Sequence, residues 1–354
     1  MSIKVSDPFN AAADPALPTL TAALNPEVAR HEFKRRLPHL SGDGRLRLRE
    51  IRVVRHKPGK RCVVEYDVEV ERPDAPLARV TLIGKARARR SGNEALRQLE
   101  TIWKAGFATD STDGISVPEP IGVISEFNMW FQRKVPGVTA TDLLTGPDGA
   151  RLARRIAEAA HKLHQANVPT ERAHVMANEL RILRVCFDKV ATQRPEWASR
   201  LASLMAGCDK LGASLPAPKA CGIHRDFYSS QVIVGRGFQP AQEEGDGSQS
   251  GFGRLWLIDF DLFCLGDPGL DIGNFLGHVI EQAVRERGDA GAFRAVESAM
   301  TERFVELSGG CARAAVEAYT TLTLARHVYL STQFSERTHT TERLLELCAQ
   351  RLAY

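Results

Sequence analysis

The chain has no apolar run near the ~20 residues needed to cross a bilayer. Its start, Met1-Ser2-Ile3-Lys4-Val5-Ser6-Asp7, lacks the apolar stretch of a secretory leader. Neither a membrane partner nor a secretory signal is therefore expected. The seven scattered cysteines include no Cys-x-x-Cys pair, and their odd number speaks for reduced thiols and a cytoplasmic address. No block of like charge occurs: Lys and Arg are interleaved with Glu along helix faces, and the net charge is only +4. That is the pattern of a solvated surface and argues against a nucleic-acid partner. The C-terminal third has no acidic run, Gly-x-Gly-x-x-Gly is absent, and there is no internal repeat.

What remains is an ordinary globular composition. With 354 residues, 43% apolar and 25% charged, the chain can bury a large core divided between two lobes. The first 25 residues are rich in Ala and Pro without a period and read as a loose arm. Asn25 can cap a helix with Pro26 at its first position, running to about Leu37. From Arg45 the pattern becomes strand-like: Val64, Tyr66, Val68 and Val70 alternate with Glu65, Asp67 and Glu69. This strand pairs with about Leu46 to Arg55 through His56-Lys57-Pro58-Gly59-Lys60. A third strand is predicted at Arg79 to Ala86, a helix at Asn93 to Ala105, and further strands at Val117 to Val123 and Met129 to Lys134. Pro136-Gly137 marks the end of this lobe. Helices follow, with Leu152, Ile156, Ala159 and Leu163 at helical spacing and another helical stretch over 177 to 213. Gln239 to Gly253 is Gly-, Ser-, Gln- and Glu-rich and reads as a surface loop. The last 80 or so residues carry apolar helical stripes.

Two runs carry the chemistry. The first is Gly222-Ile223-His224-Arg225-Asp226-Phe227-Tyr228-Ser229-Ser230-Gln231, and the second is Ile258-Asp259-Phe260-Asp261. Each is a short apolar strand leading into a carboxylate. Phosphoryl transfer needs this pairing, one Asp to orient the attacking hydroxyl and further oxygen ligands to hold Mg²⁺ against phosphates. Protein kinases write the two as His-Arg-Asp, with a metal-binding Asn five residues on, and Asp-Phe-Gly. Here Gln231 stands five residues after Asp226. No activation segment ending in Ala-Pro-Glu follows. The chain passes directly into Gly266-Asp267-Pro268-Gly269-Leu270-Asp271-Ile272-Gly273-Asn274-Phe275. From about residue 45 onward the chain resembles the aminoglycoside phosphotransferase family, small-molecule kinases related to choline and homoserine kinases. Their pattern is His-Gly-Asp-x-x-x-x-Asn, then Asp-x-Asp/Glu, then Gly-Asp-Pro-x-x-Asp.

The resemblance implies an α+β, bilobal, protein-kinase-like fold. Residues 1–44 would form the arm and first helix, 45–136 a small β-rich nucleotide-binding lobe, and 137–354 a larger, mainly helical catalytic and acceptor-binding lobe. It implies an ATP- and Mg²⁺-dependent phosphotransferase acting on a hydroxyl of a small molecule, with Asp226 as catalytic base. Gln231 and Asp259 are the metal candidates. Asp261 would face the same way as Asp259 in a continuing strand, and holds a second metal or forms a turn. Lys85 is the candidate for the α- and β-phosphates, partnered by Glu94 or by Glu100. Lys60 or Arg61 supplies charge at the hairpin where backbone amides would otherwise serve, unless that hairpin is a plain β-turn. Backbone groups at about Gln132 to Lys134 would hold adenine. Asp271 would brace the catalytic loop with His224 packed beneath it, and Arg225, where the family has Gly, would pair with a nearby Asp. His161-x-x-His164 reads as packing and not as a metal site. The alternatives are a catalytically silent nucleotide-binding protein and, more remotely, a Ser/Thr protein kinase. Oligomeric state is not legible.

Overall fold

The structure is a computed structural model that describes residues 3–72, 75–88, 92–235 and 253–353. The chain divides into two compact units, Met1–Pro136 and Gly137–Tyr354. The first is a sheet covered by short helices, and the second is mainly helical.

The sheet of the first unit has the strand order Lys4–Ser6, Arg45–Lys57, Arg61–Arg72, Ala75–Arg87, Met129–Arg133, Pro120–Ile124. Only the first pair is parallel. The alternation in Arg61–Arg72 works as expected on one face, where Val64, Tyr66, Val68 and Val70 are buried. The opposite face is less solvated than alternation implies. Glu65 lies under Arg52 at 2.8 Å and Lys134 at 2.6 Å, and Glu69 lies under Arg49, so cross-strand ion pairs cover these carboxylates.

The helix Pro26–Arg36 starts where the sequence places it. Asn25 Oδ1 accepts from the amides of Glu27 and Val28, and Pro26 takes the first position, where a missing N–H does no harm. It presents Phe33 to the sheet, where the ring meets Tyr66 at 5.0 Å and Phe131 at 5.4 Å between centroids. Gly84 permits this packing: a Cβ there would meet Phe131 at 2.9 Å and Tyr66 at 3.0 Å.

The expected loose arm is instead part of this core. Ala11, Leu17, Leu20, Ala23 and Leu24 are buried, Lys4–Ser6 pairs with Glu50 to Arg52, and the Tyr66 hydroxyl donates to the Ala23 carbonyl. Short strands and single turns carry no period, so the composition of this segment concealed its packing. Its Asp14 also reaches the hairpin turn. Oδ2 accepts from the Gly59 amide and lies 2.8 Å from His56 Nε2, while Oδ1 accepts from the Ala16 amide.

In the second unit the strands are short. Val232–Val234 pairs antiparallel with Leu255–Leu257 and, on its other side, with Val138–Thr139. Cys221–Ile223 pairs with Cys264–Gly266. The predicted helix over 177 to 213 is two helices, Met176–Gln193 and Ala198–Ser214. Residues 236–252, which include most of the predicted loop, lie outside the described residues. The long helices Pro268–Arg287 and Ala312–Thr332 approach closely because Gly269, Gly273 and Gly277 line the contact. A Cβ at Gly273 would come within 2.5 Å of Tyr319 Cβ, and one at Gly277 within 2.5 Å of Thr323. Among the described residues no helix is long and apolar enough to cross a membrane.

Two measurements check this account. Phe33→Ala should destabilise the protein by about 3–5 kcal/mol in denaturant unfolding, the usual loss for a buried aromatic. Asp14 accepts the Gly59 amide and the His56 ring, which hold its carboxyl below the usual value. A depressed carboxyl stabilises the fold above its unfolded pKa, and that contribution is lost as pH falls through the folded pKa. The gap in urea midpoint between wild type and Asp14→Asn should therefore be open at neutral pH and narrow steadily below about pH 4.

Candidate functional site

The strand Cys221–Ile223 delivers the chain to a loop whose backbone is held on both sides of Asp226. Upstream, the wholly buried Asp271 accepts the His224 amide on Oδ2 at 2.9 Å and the Arg225 amide on Oδ1 at 2.7 Å. His164 Nε2 reaches the same Oδ2 at 2.8 Å, so with the carboxylate accepting, that nitrogen carries the proton. The His224 ring donates through Nε2 to the Ile258 carbonyl at 2.9 Å, tying this loop to the second motif. Downstream, Asn274 Nδ2 donates to the Phe227 carbonyl at 2.9 Å, and Arg326 donates to Asn274 Oδ1 at 2.7 Å. Asp226 is thereby fixed without being consumed. It is half-buried, and its carboxylate makes no hydrogen bond or ion pair among the described residues.

The anchor itself is positioned by the start of the helix Pro268–Arg287. Asp267 caps it, accepting from the Gly269 amide at 2.9 Å, with Pro268 at the first position. Asp271 then falls in the first turn, where unpaired amides favour an anion.

Arg225 adopts φ 69°, a left-handed conformation that costs a side chain about 1–2 kcal/mol and that glycine adopts freely. The expected salt bridge is absent. Its guanidinium makes no ion pair among the described residues, and the residue's structural contribution is the amide that meets Asp271.

The second motif departs from the expected strand. Leu255–Leu257 ends before Asp259, which takes φ 67° and ψ 60°, and Phe260–Leu262 is a single 3₁₀ turn. The alternation argument that would aim Asp259 and Asp261 the same way therefore does not apply. Gln231 and Asp259 are nonetheless brought together by the hairpin: Val232 pairs with Leu257, and the Ile258 amide donates to the Gln231 carbonyl at 3.0 Å. Gln231 is buried. Among the described residues no three of His, Cys, Asp and Glu gather into a metal cluster. One amide and two carboxylates at adjoining backbone positions are hard oxygen donors. They suit Mg²⁺, which keeps waters and phosphate oxygens in its shell and rarely takes an all-protein cage.

The remaining candidates belong to the first unit. Lys85 lies within the strand Ala75–Arg87, its Nζ 4.9 Å from the Trp130 ring centroid. Glu94 is exposed in the first turn of the helix Gly92–Ile102, and Glu100 is half-buried further along it. The hairpin is a tight turn, with the Lys60 amide donating to the Lys57 carbonyl at 3.0 Å and Gly59 at φ 71°. Pro58 has no N–H, and Asp14 takes the Gly59 amide. This turn therefore offers no backbone cradle to a phosphate, and only side chains such as the exposed Lys60 can contribute. At the other edge, the Lys134 amide donates to the Thr81 carbonyl at 2.8 Å and its Nζ meets Glu65. Gln132 is a ladder residue between Ile83 and Pro120. Of the backbone groups expected at about Gln132 to Lys134 to hold adenine, the Lys134 amide is thus already taken by the sheet.

Sequence reasoning missed His164 and Asn274. His164 was read as packing, and its partner lies 107 residues away. Asn274 stands immediately beyond the Gly-Asp-Pro-x-x-Asp run, where the helical spacing from Asp271 was the available signal.

The family model described as APH, phosphotransferase enzyme family, matches residues 85–306. Among curated proteins no sequence matches the chain. Among solved structures, an amicoumacin kinase in complex with AMP-PNP, Ca²⁺ and Ami is similar at 16% identity and TM-score 0.53, covering 84% of this chain and 88% of that one. A choline/ethanolamine kinase family protein from Mesorhizobium loti gives 14% and 0.52, covering 93% and 95%. A thermostable mutant of aminoglycoside phosphotransferase APH(4)-Ia gives 13% and 0.52, covering 86% and 94%. At these identities the likeness is one of fold, the protein-kinase-like α+β fold.

The anchor has a direct test. Asp271→Asn keeps one oxygen for two backbone donors, leaving one buried amide unpaired at a cost of about 1–3 kcal/mol. Amide exchange at His224 and Arg225 should accelerate while the sheet amides of the first unit keep their protection. Unchanged exchange at both loop amides would show that Asp271 is not what holds them.

Proposed function

This chain belongs to the phosphotransferase enzyme family and is a small-molecule kinase; from that premise we propose that it transfers the γ-phosphoryl group of ATP to a hydroxyl of a small molecule, with Asp226 as the base. The observation that carries the reading is the state of Asp226. Its neighbours' backbone groups are pinned by Asp271 and Asn274, while its own carboxylate has no partner among the described residues. A carboxylate fixed in place yet unengaged is what a positioned base requires, because no competing bond must break before it accepts a substrate hydroxyl.

In this reading the acceptor hydroxyl donates to Asp226, which orients its oxygen for in-line attack on the γ-phosphorus. The new O–P bond forms as the bond from phosphorus to the β,γ-bridging oxygen breaks. The hydroxyl proton passes late to Asp226, and ADP leaves. Gln231 and Asp259, with Asp261, would hold Mg²⁺, which when bound offsets the negative charge of the phosphates. Lys85 would meet the α- and β-phosphates as a point charge. An ATP-dependent reaction and unpaired thiols both fit a cytoplasmic address.

A second reading has a specific observation behind it. The turn Lys57–Lys60 has no amide free for phosphate, and Gln231 is a methylene longer than the family's Asn. Both would suit a silent nucleotide binder. ADP release on screening hydroxyl metabolites separates the two.

Two outcomes are expected. Mg²⁺ with ATP should raise the melting temperature by mass action, and Asp259→Ala should remove the magnesium-dependent part. An unmoved wild-type curve at millimolar ATP would remove the basis for nucleotide chemistry. Asp226→Asn should lower turnover by about 10²–10⁴-fold, the worth of a positioned base, with ATP affinity unchanged. Near-wild-type turnover would assign the wrong carboxylate.

A further inference from the structure

The pinned loop continues past Asp226 into a second cluster that phosphoryl transfer itself does not use. The Tyr228 ring stacks on His278, with centroids 4.6 Å apart and planes at 18°. His278 in turn meets His327 edge-on at 4.5 Å. The two imidazoles come from Pro268–Arg287 and Ala312–Thr332, the helix pair that the glycines bring together. His327 is buried, and its Nε2 has no hydrogen-bond partner. Burial pushes His278 down to about 3 and His327 well below its ordinary value, with the charges of Arg326 and Arg337 acting the same way. This wall is therefore neutral imidazole in the field of guanidinium groups.

The charges around it are unequal. Arg326 is committed to Asn274 Oδ1 and stands 3.7 Å from Glu179, which is itself paired with His174 at 2.5 Å. Arg285, further along, is matched by Glu281 and Glu286. Arg337, on the turn Ser335–Thr340, is half-buried and makes no ion pair among the described residues. Its guanidinium lies 5.2 Å from the ring centroid of Phe334, which is 45% exposed. Starting two residues past Asp226 in the chain, the cluster thus has a stacked aromatic pair, a buried imidazole nitrogen with no partner and a half-buried cation with no ion pair among the described residues.

Resting on the kinase reading, we propose that this cluster is the acceptor subsite and that it selects a hydroxyl compound bearing an anionic group, a carboxylate or a phosphate ester, with Arg337 as the specificity-determining residue. A guanidinium fork recognises either anion by paired hydrogen bonds. A polyamine would lose water beside Arg326 and Arg337 and would meet like charge there.

The test uses two matched sets of probes on the full chain: glucuronate, glucose phosphate, glucose and glucosamine, and then glycerate, glycerol phosphate, glycerol and serinol. Binding is followed by the imidazole ¹H–¹⁵N signals of His278 and His327, and turnover by ADP release. An anionic member of at least one set should bind tighter than its neutral and ammonium counterparts by about tenfold or more, equivalent to about 1.4 kcal/mol. The carboxylate and phosphate arms distinguish the two anions. Arg337→Gln should abolish that preference and Arg337→Lys should restore part of it, while both variants keep the wild-type melting shift with Mg²⁺ and ATP. Equal binding across both sets, tighter binding of the ammonium compounds, or no imidazole shift with any anion overturns the proposal. Loss of the melting shift in the wild type would instead strike the kinase reading.

Discussion

A carboxylate buried away from water costs several kcal/mol unless its oxygens are fully engaged. Asp271 is such a group, with none of its surface exposed, and it is engaged by two consecutive backbone amides and one imidazole. The constraint works in both directions. The charge can exist there only if the loop at His224 and Arg225 stays where it is, and the loop can keep its left-handed Arg225 only because the charge holds it. The rest of the second unit serves this geometry. The cap at Asp267 sets where the helix begins, the glycines set how closely Ala312–Thr332 approaches, and that approach places Arg326 on Asn274, which holds the far side of the loop. Asp226 is positioned by groups that never touch it.

That arrangement explains which parts of the site were legible in the sequence. The spacing from Asp226 to Gln231 and the run from Gly266 to Asn274 are local patterns, and a local pattern survives in one dimension. Asn25-Pro26 was equally readable because cap and first turn are neighbours in the chain. His164 was not readable, since its meaning comes from a partner on another helix. The N-terminal segment was misread because single turns and a three-residue strand have no period, although together they bury five apolar side chains. The shared direction of Asp259 and Asp261 does not follow from alternation, which holds only while the strand lasts, and this one stops at Leu257. Of the backbone groups expected at about Gln132 to Lys134, the Lys134 amide already donates to Thr81, a cross-strand partner far away in the chain.

The hairpin turn completes the physical picture by what occupies it. A glycine-rich loop grips phosphate through several amides that point one way. Here proline removes one, Asp14 takes the second, and the turn's own hydrogen bond takes the third. Under the proposed function, a grip on phosphate at this turn falls to side chains such as the exposed Lys60, whose attraction for phosphate is screened by salt. In the second unit the positioning is done by buried hydrogen bonds, which ionic strength hardly reaches. Under the proposed function, donor capture should thus weaken as salt rises, while the geometry around Asp226 stays as it is, since electrostatic preorganisation depends on dipoles and charges that do not move during the reaction.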